Sequence, residues 1–379
     1  MSVVNKIHIM LLLLVFSVVL AAAVNDNTDN TVQTNETRIT ASGCVHENGC
    51  VYENEPKIFD DKIVWGERYS NSGNNIYMYD FYTSKETQIT TSGSAYDPDI
   101  YGDRIVYIDN RNALAYSTKE DIYLHDIYMY DLSTKKETQI TTSGKAWINP
   151  DIYGDKIVWQ EIHNQKVDIY MYNLSTKKEI QITNSGSAIS PAIYGNRIVY
   201  TDKRDGNDDW LHGIYIYNLS TNKKMKISNN GPADHPSIYK DRIVWENTTF
   251  YSNGYGNEVE DHNIYMYDLS TKKETQITSS LDDQTSPDIY GDKIVWEEDG
   301  GKDAVYTNHG IYMYDISTNK KTRISASGSV YQPIYIYDIS TNKKMRISAS
   351  GSTYPAIFGN KIVWEYEVDN KYYVYMVAI

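Results

Sequence analysis

Histidines, carboxylates and aromatic residues recur at set places along this 379-residue chain. His125, His212, His262 and His309 each stand two residues before an Ile-Tyr or Gly-Ile-Tyr start. As metal ligands they would have to converge, because metal–nitrogen bonds are only about 2 Å long. They are instead spread one to a repeat, so the expectation is that each caps its own loop. Acids and aromatics also gather in two variable stretches. One holds Asp205, Asp208, Asp209 and Trp210; the other holds Tyr251, Tyr255, Glu258, Glu260 and Asp261. Such stretches suit sugar or cation-bridged ligands. The DKRDGNDD run carries the oxygen donors that calcium or another divalent cation takes, but its spacing is not that of an EF-hand. Asp99, Asp151 and Asp288 each follow a proline in similar segments, and His235 precedes one; if those segments line a central channel, the acids are expected to form a polar ring there that holds water or a cation, or to bond neighbouring backbone. There is no Gly-X-Ser-X-Gly elbow, His-Glu-X-X-His pair, P-loop or dinucleotide fingerprint. The expectation is therefore binding rather than a recognisable reaction, with no resident cofactor.

The bulk of the chain narrows the partners. A formal net charge of −14 repels phosphate backbones, which argues against nucleic acid. Residues 1–23 read as a signal peptide: Lys6, an apolar run from Ile9 to Leu20, then Ala21, Ala22 and Ala23. No second apolar run follows, so no membrane span is expected after cleavage. Cys44 and Cys50 are expected to form a local disulfide in an exported chain. The sequons at Asn35, Asn173, Asn218 and Asn247 could then carry glycans.

What positions these groups is a repeat. Segments such as PDIYGDRIVY (98–107) return after Pro56, Pro150, Pro191, Pro236, Pro287 and Pro355. Each is followed by a relative of IYMYDLSTKKETQIT (127–141). Most starts lie 41 to 52 residues apart, a spacing that belongs to propeller blades. Each unit predicts four strands. Proline opens the first, Gly-Asp turns into the second, Ile-Tyr-Met-Tyr makes the third and Glu-Thr-Gln-Ile-Thr the fourth. Thirty-six tyrosines against five phenylalanines reinforce the β reading. Trp65, Tyr107, Trp159, Tyr200, Trp245, Trp296 and Trp364 end the second strands and read as packing between blades, with carbohydrate stacking as the alternative.

The final unit stops in its third strand, while residues 36–43 match a fourth strand. The expectation is an all-β, seven-bladed propeller over 36–379, closed by an N-terminal strand that completes the last blade. Residues 24–35 are expected to be unstructured. The fragment 334–348 is a surplus hairpin, or an incomplete eighth blade. The repeat resembles the WD40-like repeat of TolB-type propellers, and its tyrosine-rich form is similar to cell-surface propellers of methanogenic archaea. That resemblance implies an exported, cell-surface or secreted protein. The second-to-third loops (66–75, 108–126, 160–168, 201–213, 246–263 and 297–310) vary in length and sequence while the other turns do not, so one face of the disc is expected to bind glycan, envelope polymer or surface protein. Some propellers of this type resemble oligogalacturonate lyases, which makes a polysaccharide lyase or hydrolase the alternative.

Overall fold

The structure is a computed structural model that describes residues 31–33, 37–39, 44–45, 55–69, 73–112, 125–203, 212–229, 231–252, 258–279, 283–299, 310–317, 320–323, 334–338, 343–348, 352–368 and 371–378. Among them every regular element is a strand. Six four-stranded antiparallel sheets follow one another through residues 57–88, 95–139, 151–181, 188–226, 233–276 and 283–323. A further sheet holds Ser352–Phe358, Lys361–Val368 and Lys371–Ala378, with Thr37–Arg38 beside the last of these. Thr37 pairs with Met376 and Arg38 with Tyr375, both antiparallel. The N–H of Ile39 then donates to the Val374 carbonyl at 3.1 Å. The stretch 24–35, expected to be unstructured, contributes Thr31–Gln33, which pairs in parallel with Lys344–Arg346 of the surplus hairpin.

The local chemistry behind each sheet repeats. At the first hairpin the leading turn residue has positive φ. Gly102, Gly154, Gly195, Gly291 and Gly359 fall at 61–64°, and Asp60 and Lys240 adopt the same conformation at 54°. Glycine meets this need without a steric cost. The threonine of the Gln-Ile-Thr strand ties the fourth strand back to the third. Thr90, Thr141, Thr183 and Thr278 each accept the N–H of the third strand's first isoleucine at 2.8–2.9 Å. Asp126 and Asp168 accept that hydroxyl in turn and cap the N–H groups of Gly144 and Gly186. These carboxylates are structural: each satisfies donors that would otherwise be buried unpaired.

Apolar side chains from neighbouring sheets interdigitate. Val64, Ile76 and Met78 pack on Ile100, Tyr107 and Tyr128, and the same arrangement recurs between later pairs. Ile39, Ala356, Val363 and Val374 pack on Ile58, Ile63 and Trp65, which joins the last sheet to the first. The tryptophans and tyrosines expected to end the second strands lie within them, since each strand continues past its ring, and they are fully buried. Carbohydrate stacking by those rings is therefore overturned: their faces are covered by neighbouring sheets.

Two further sets of contacts run from sheet to sheet. Arg104, Arg197 and Arg242 each donate to a carbonyl in the next sheet's first turn, at 2.8–3.0 Å. Lys361 does the same to the Asp60 carbonyl at 3.2 Å. The residues that close the first strands also meet in series. Ring centroids run Phe59–Tyr101–Tyr153–Tyr194–Tyr239–Tyr290–Phe358 at 4.6 to 5.2 Å, and Phe358 lies 4.7 Å from Phe59. The circuit returns to its starting ring.

Candidate functional site: the axial cavity and its rim

A cavity of about 330 Å³ lies among the first strands, at the low end of the range for small-ligand sites. Every one of its sides is a proline-led segment, and the residue before each proline lines it: Glu55, Asp97, Asn149, Ser190, His235, Ser286 and Tyr354. Six of these seven have φ between 49° and 55°. That left-handed conformation is costly for a non-glycine residue, on the order of 1–3 kcal/mol, and the following proline disfavours it further. Register shifts at Tyr96/Asp99, Ile189/Ala192, Asp234/Ser237, Thr285/Asp288 and Thr353/Ala356 mark the same places as β-bulges. A bulge re-aims side chains, and these aim a polar group into the cavity from one unit after another.

Asp99, Asp151 and Asp288 are among the residues that line the cavity. Each pins the next sheet: Asp99 accepts the Ile152 N–H at 2.8 Å, Asp151 that of Ile193 at 2.7 Å, and Asp288 that of Ile357 at 3.0 Å. Asp288 also accepts from the Ser237 hydroxyl at 2.8 Å. Burial raises the Asp151 carboxyl well above its ordinary range, and the neighbouring Asp99 charge adds to this. Asp99 is also raised by burial, against the opposing pull of its hydrogen bond to Asp151 and of Lys57. Lys57 brings an ammonium group among them. Burial alone would discharge it, but Glu55, Asp99, Asp288 and Asp151 hold it charged. The chain thus supplies its own cation to the channel acids.

One sheet departs from the rest. His235, on the rim, has Nδ1 3.5 Å from Oε2 of Glu246, and His262 has Nδ1 2.9 Å from Oε1 of the same carboxylate. They come from the first, second and third strands of the fifth sheet, where Asp234 pairs with Glu246 and Glu246 with Ile264. The Glu246 hydrogen bond holds His235 up to about 9 and raises His262 as well. Burial would push Glu246 up, but the two imidazoles outweigh it and bring it to about 2.

The other expected residues are scattered. His125 is buried against Tyr96 and the Trp147 carbonyl, and burial lowers its pKa. His212 is also lowered by burial and lies within electrostatic reach of Asp234. Asp261 accepts from the Asn263 amide at 2.7 Å. Tyr251 and Glu258 belong to strands Arg242–Ser252 and Glu258–Asp268, where Tyr251 pairs with Val259 and Ser252 with Glu258. The connection 246–263, expected to be a loop, is therefore largely a β-hairpin, as are 66–75 and 160–168. Asp205, Asp208, Asp209, Trp210, Tyr255, His309, Asn35 and Cys50 lie outside the described residues, and Cys44 is described only as a strand pairing with Tyr372. Asn173 and Asn218 cap their own turns through Oδ1, at 2.8 and 2.9 Å. Asn247 is only 1% exposed, so the folded chain does not present its amide for glycosylation. Among the described residues no three His, Cys, Asp or Glu side chains gather to hold a metal ion.

Apart from His235, the rim residues do not stand out in the sequence, because the proline is constant and the residue before it is not. The available signal was variation: the position before proline is Glu, Asp, Asn, Ser, His, Ser and Tyr in turn, always polar and changed at almost every unit.

No family model and no curated protein matches the chain. Solved structures do. Oligogalacturonate lyase from Vibrio parahaemolyticus aligns with a TM-score of 0.61 and 13% identity, covering 94% of this chain and 95% of that one. The β-propeller domain of the trilobed protease from Pyrococcus furiosus, described as having an open velcro topology, gives 0.59 and 13% over 86% and 92%. An oligogalacturonate lyase in complex with manganese gives 0.58 and 15% over 86% and 89%. At such identities the likeness speaks for the fold alone, and the fold is that of a β-propeller.

Proposed function

We propose that this chain is an exported, cell-surface or secreted binding propeller of seven blades, closed by Thr37–Ile39, and that it recognises a saccharide at the rim of its axial cavity. The observation that carries the reading is the rim itself. A constant proline is preceded by seven polar side chains of six kinds, six of them held in a strained conformation around one cavity. Drift in a solvated loop would not keep the strain or the polarity. Hydroxyl-rich ligands need donors and acceptors arrayed around them, and this rim has both. The seven-blade closure is supported by the aromatic circuit and by Ile39 lodged between the last and first sheets.

The test is a saccharide array scored for binding and for cleavage, with and without added manganese. Wild type is compared with Asp97→Ala and Asn149→Ala at the rim, and with a chain whose 248–262 hairpin is shortened. Saturable binding lost in the rim variants and kept in the hairpin variant supports the reading. Binding that follows the hairpin instead moves the site to the outer face, and turnover with manganese favours the lyase alternative.

A further inference from the structure

We propose that His235 is the specificity-determining hydrogen-bond donor of this rim, positioned by Glu246 and His262, and that it selects uncharged saccharides over uronic acids. The inference rests on the rim being the ligand site. Its starting point is a break in the repeat. The fifth unit alone combines a histidine before the proline with a glutamate after the aromatic; Glu297 and Glu365 also follow the aromatic in the sixth and seventh units, but there Ser286 and Tyr354 precede the proline, and the other units pair Glu55 with Gly66, Asp97 with Ile108, Asn149 with Gln160 and Ser190 with Thr201. Nothing in the fold's own repeat calls for this combination, since those sheets form without it.

The geometry then defines the chemistry. Glu246 is nearly buried, at 9% exposure, and each of its oxygens faces the Nδ1 of a different imidazole. Those two contacts fix the ring planes, so the opposite edge of His235, whose side chain is 58% exposed, is left as an N–H donor at the cavity rim. The surrounding charge decides what that donor prefers. Glu246, Asp234 and Glu55 act on His235, and Glu246, Asp283 and Glu260 act on His262. Two imidazolium charges are met by at least as many carboxylates, and the cavity behind them holds Asp97, Asp99, Asp151 and Asp288 against Lys57. The site offers a strong donor without net positive charge. A hydroxyl or ring oxygen accepts from it freely, whereas a carboxylate must enter an acidic field.

The probes are a linear oligogalactose and the corresponding oligogalacturonate, titrated by calorimetry from pH 6 to 10 into wild type, Glu246→Gln and His262→Asn. Imidazole NMR follows the protonation of His235 in the same samples. The neutral oligomer should bind at least about tenfold more tightly than the acid, because like charges across a site are strongly unfavourable. Its binding should weaken on the order of tenfold as His235 loses its proton near pH 9, the scale of a lost charge-assisted hydrogen bond. In Glu246→Gln that midpoint should fall toward 6.5, the ordinary imidazole value, with the fold retained by circular dichroism. Equal or tighter binding of the acid, or an unchanged midpoint in Glu246→Gln, overturns the assignment of His235. Binding of neither probe overturns the ligand class. Indifference of binding to Asp97→Ala and Asn149→Ala instead removes the rim reading beneath both.

Discussion

Replacing Ile39 by alanine tests whether a strand from the start of the chain holds the last sheet to the first. Ile39 is 4% exposed and packs with Ala356, Val363 and Val374 against Ile58, Ile63 and Trp65. The substitution removes three carbons. At about 0.8 kcal/mol for each buried methylene the transfer loss is roughly 2.4 kcal/mol, and the cavity left behind brings the expected total to about 3 kcal/mol. Ile180→Ala is the matched control, since that isoleucine is 43% exposed on an outer strand and should change stability by less than about 0.5 kcal/mol. Urea unfolding followed by tryptophan fluorescence reads the difference, because Trp65 and Trp364 lie in the sheets that meet at this junction. A midpoint for Ile39→Ala that matches the Ile180→Ala midpoint would refute the closure. So would a loss confined to a separate, early transition with the remaining sheets unaffected, since a strand that closes a ring unfolds together with it as one cooperative unit.

Three other outcomes follow from the site. Asp151 is raised by burial, so its folded-state pKa exceeds the unfolded one and its ionisation costs stability as pH rises through the folded value. Asp151→Asn keeps an acceptor for the Ile193 N–H and should be at least as stable as wild type at pH 8, the advantage fading by pH 4; melting temperatures across that range check it. His235, raised to about 9, contributes stability that is complete below 6.5 and lost between 6.5 and 9; Glu246, lowered to about 2, contributes above 4.5 and loses it as pH falls toward 2. These are two arms of one interaction. Because His235 is exposed, the effect should stay within about 1 kcal/mol, and Glu246→Gln should flatten both arms of the melting-temperature profile. Finally, the buried indole N–H of Trp245 and Oδ1 of Asn247 have no partner, whereas Trp65 and Trp159 donate to Glu67 and Glu161 at 3.3 and 3.2 Å. Asn247→Glu should restore that bond and raise stability by about 1 kcal/mol, read from the urea midpoint.

Much of the architecture could be read from residue order. A strand that begins with proline, turns at Gly-Asp and ends in Ile-Val-Trp announces itself by local rules, and seven repetitions leave little choice of partner. The match of residues 36–43 to a fourth strand agrees with the pairing of Thr37–Arg38 beside the last strand. Equivalent repeat positions occupy equivalent places in the sheets, which is why Asp99, Asp151 and Asp288 share one cavity. Variable connections were less legible. Ladder pairing extends the hairpin from Thr248 to His262, a stretch whose irregular composition concealed its strands.

The sequence by itself therefore determined the strands, their order and the segment that meets the last sheet, because these depend on patterns repeated within a few residues of one another. Tertiary structure alone decided which side chains share a site. The positive φ before Pro98, Pro191, Pro236, Pro287 and Pro355 accompanies a bulge that forms only when neighbouring strands pair. His235, Glu246 and His262 lie 11 and 16 residues apart and meet because three strands fall into one register. Nor does spacing along the chain reveal that Asp151 serves the backbone of the next sheet, a contact that exists only once the sheets stand side by side.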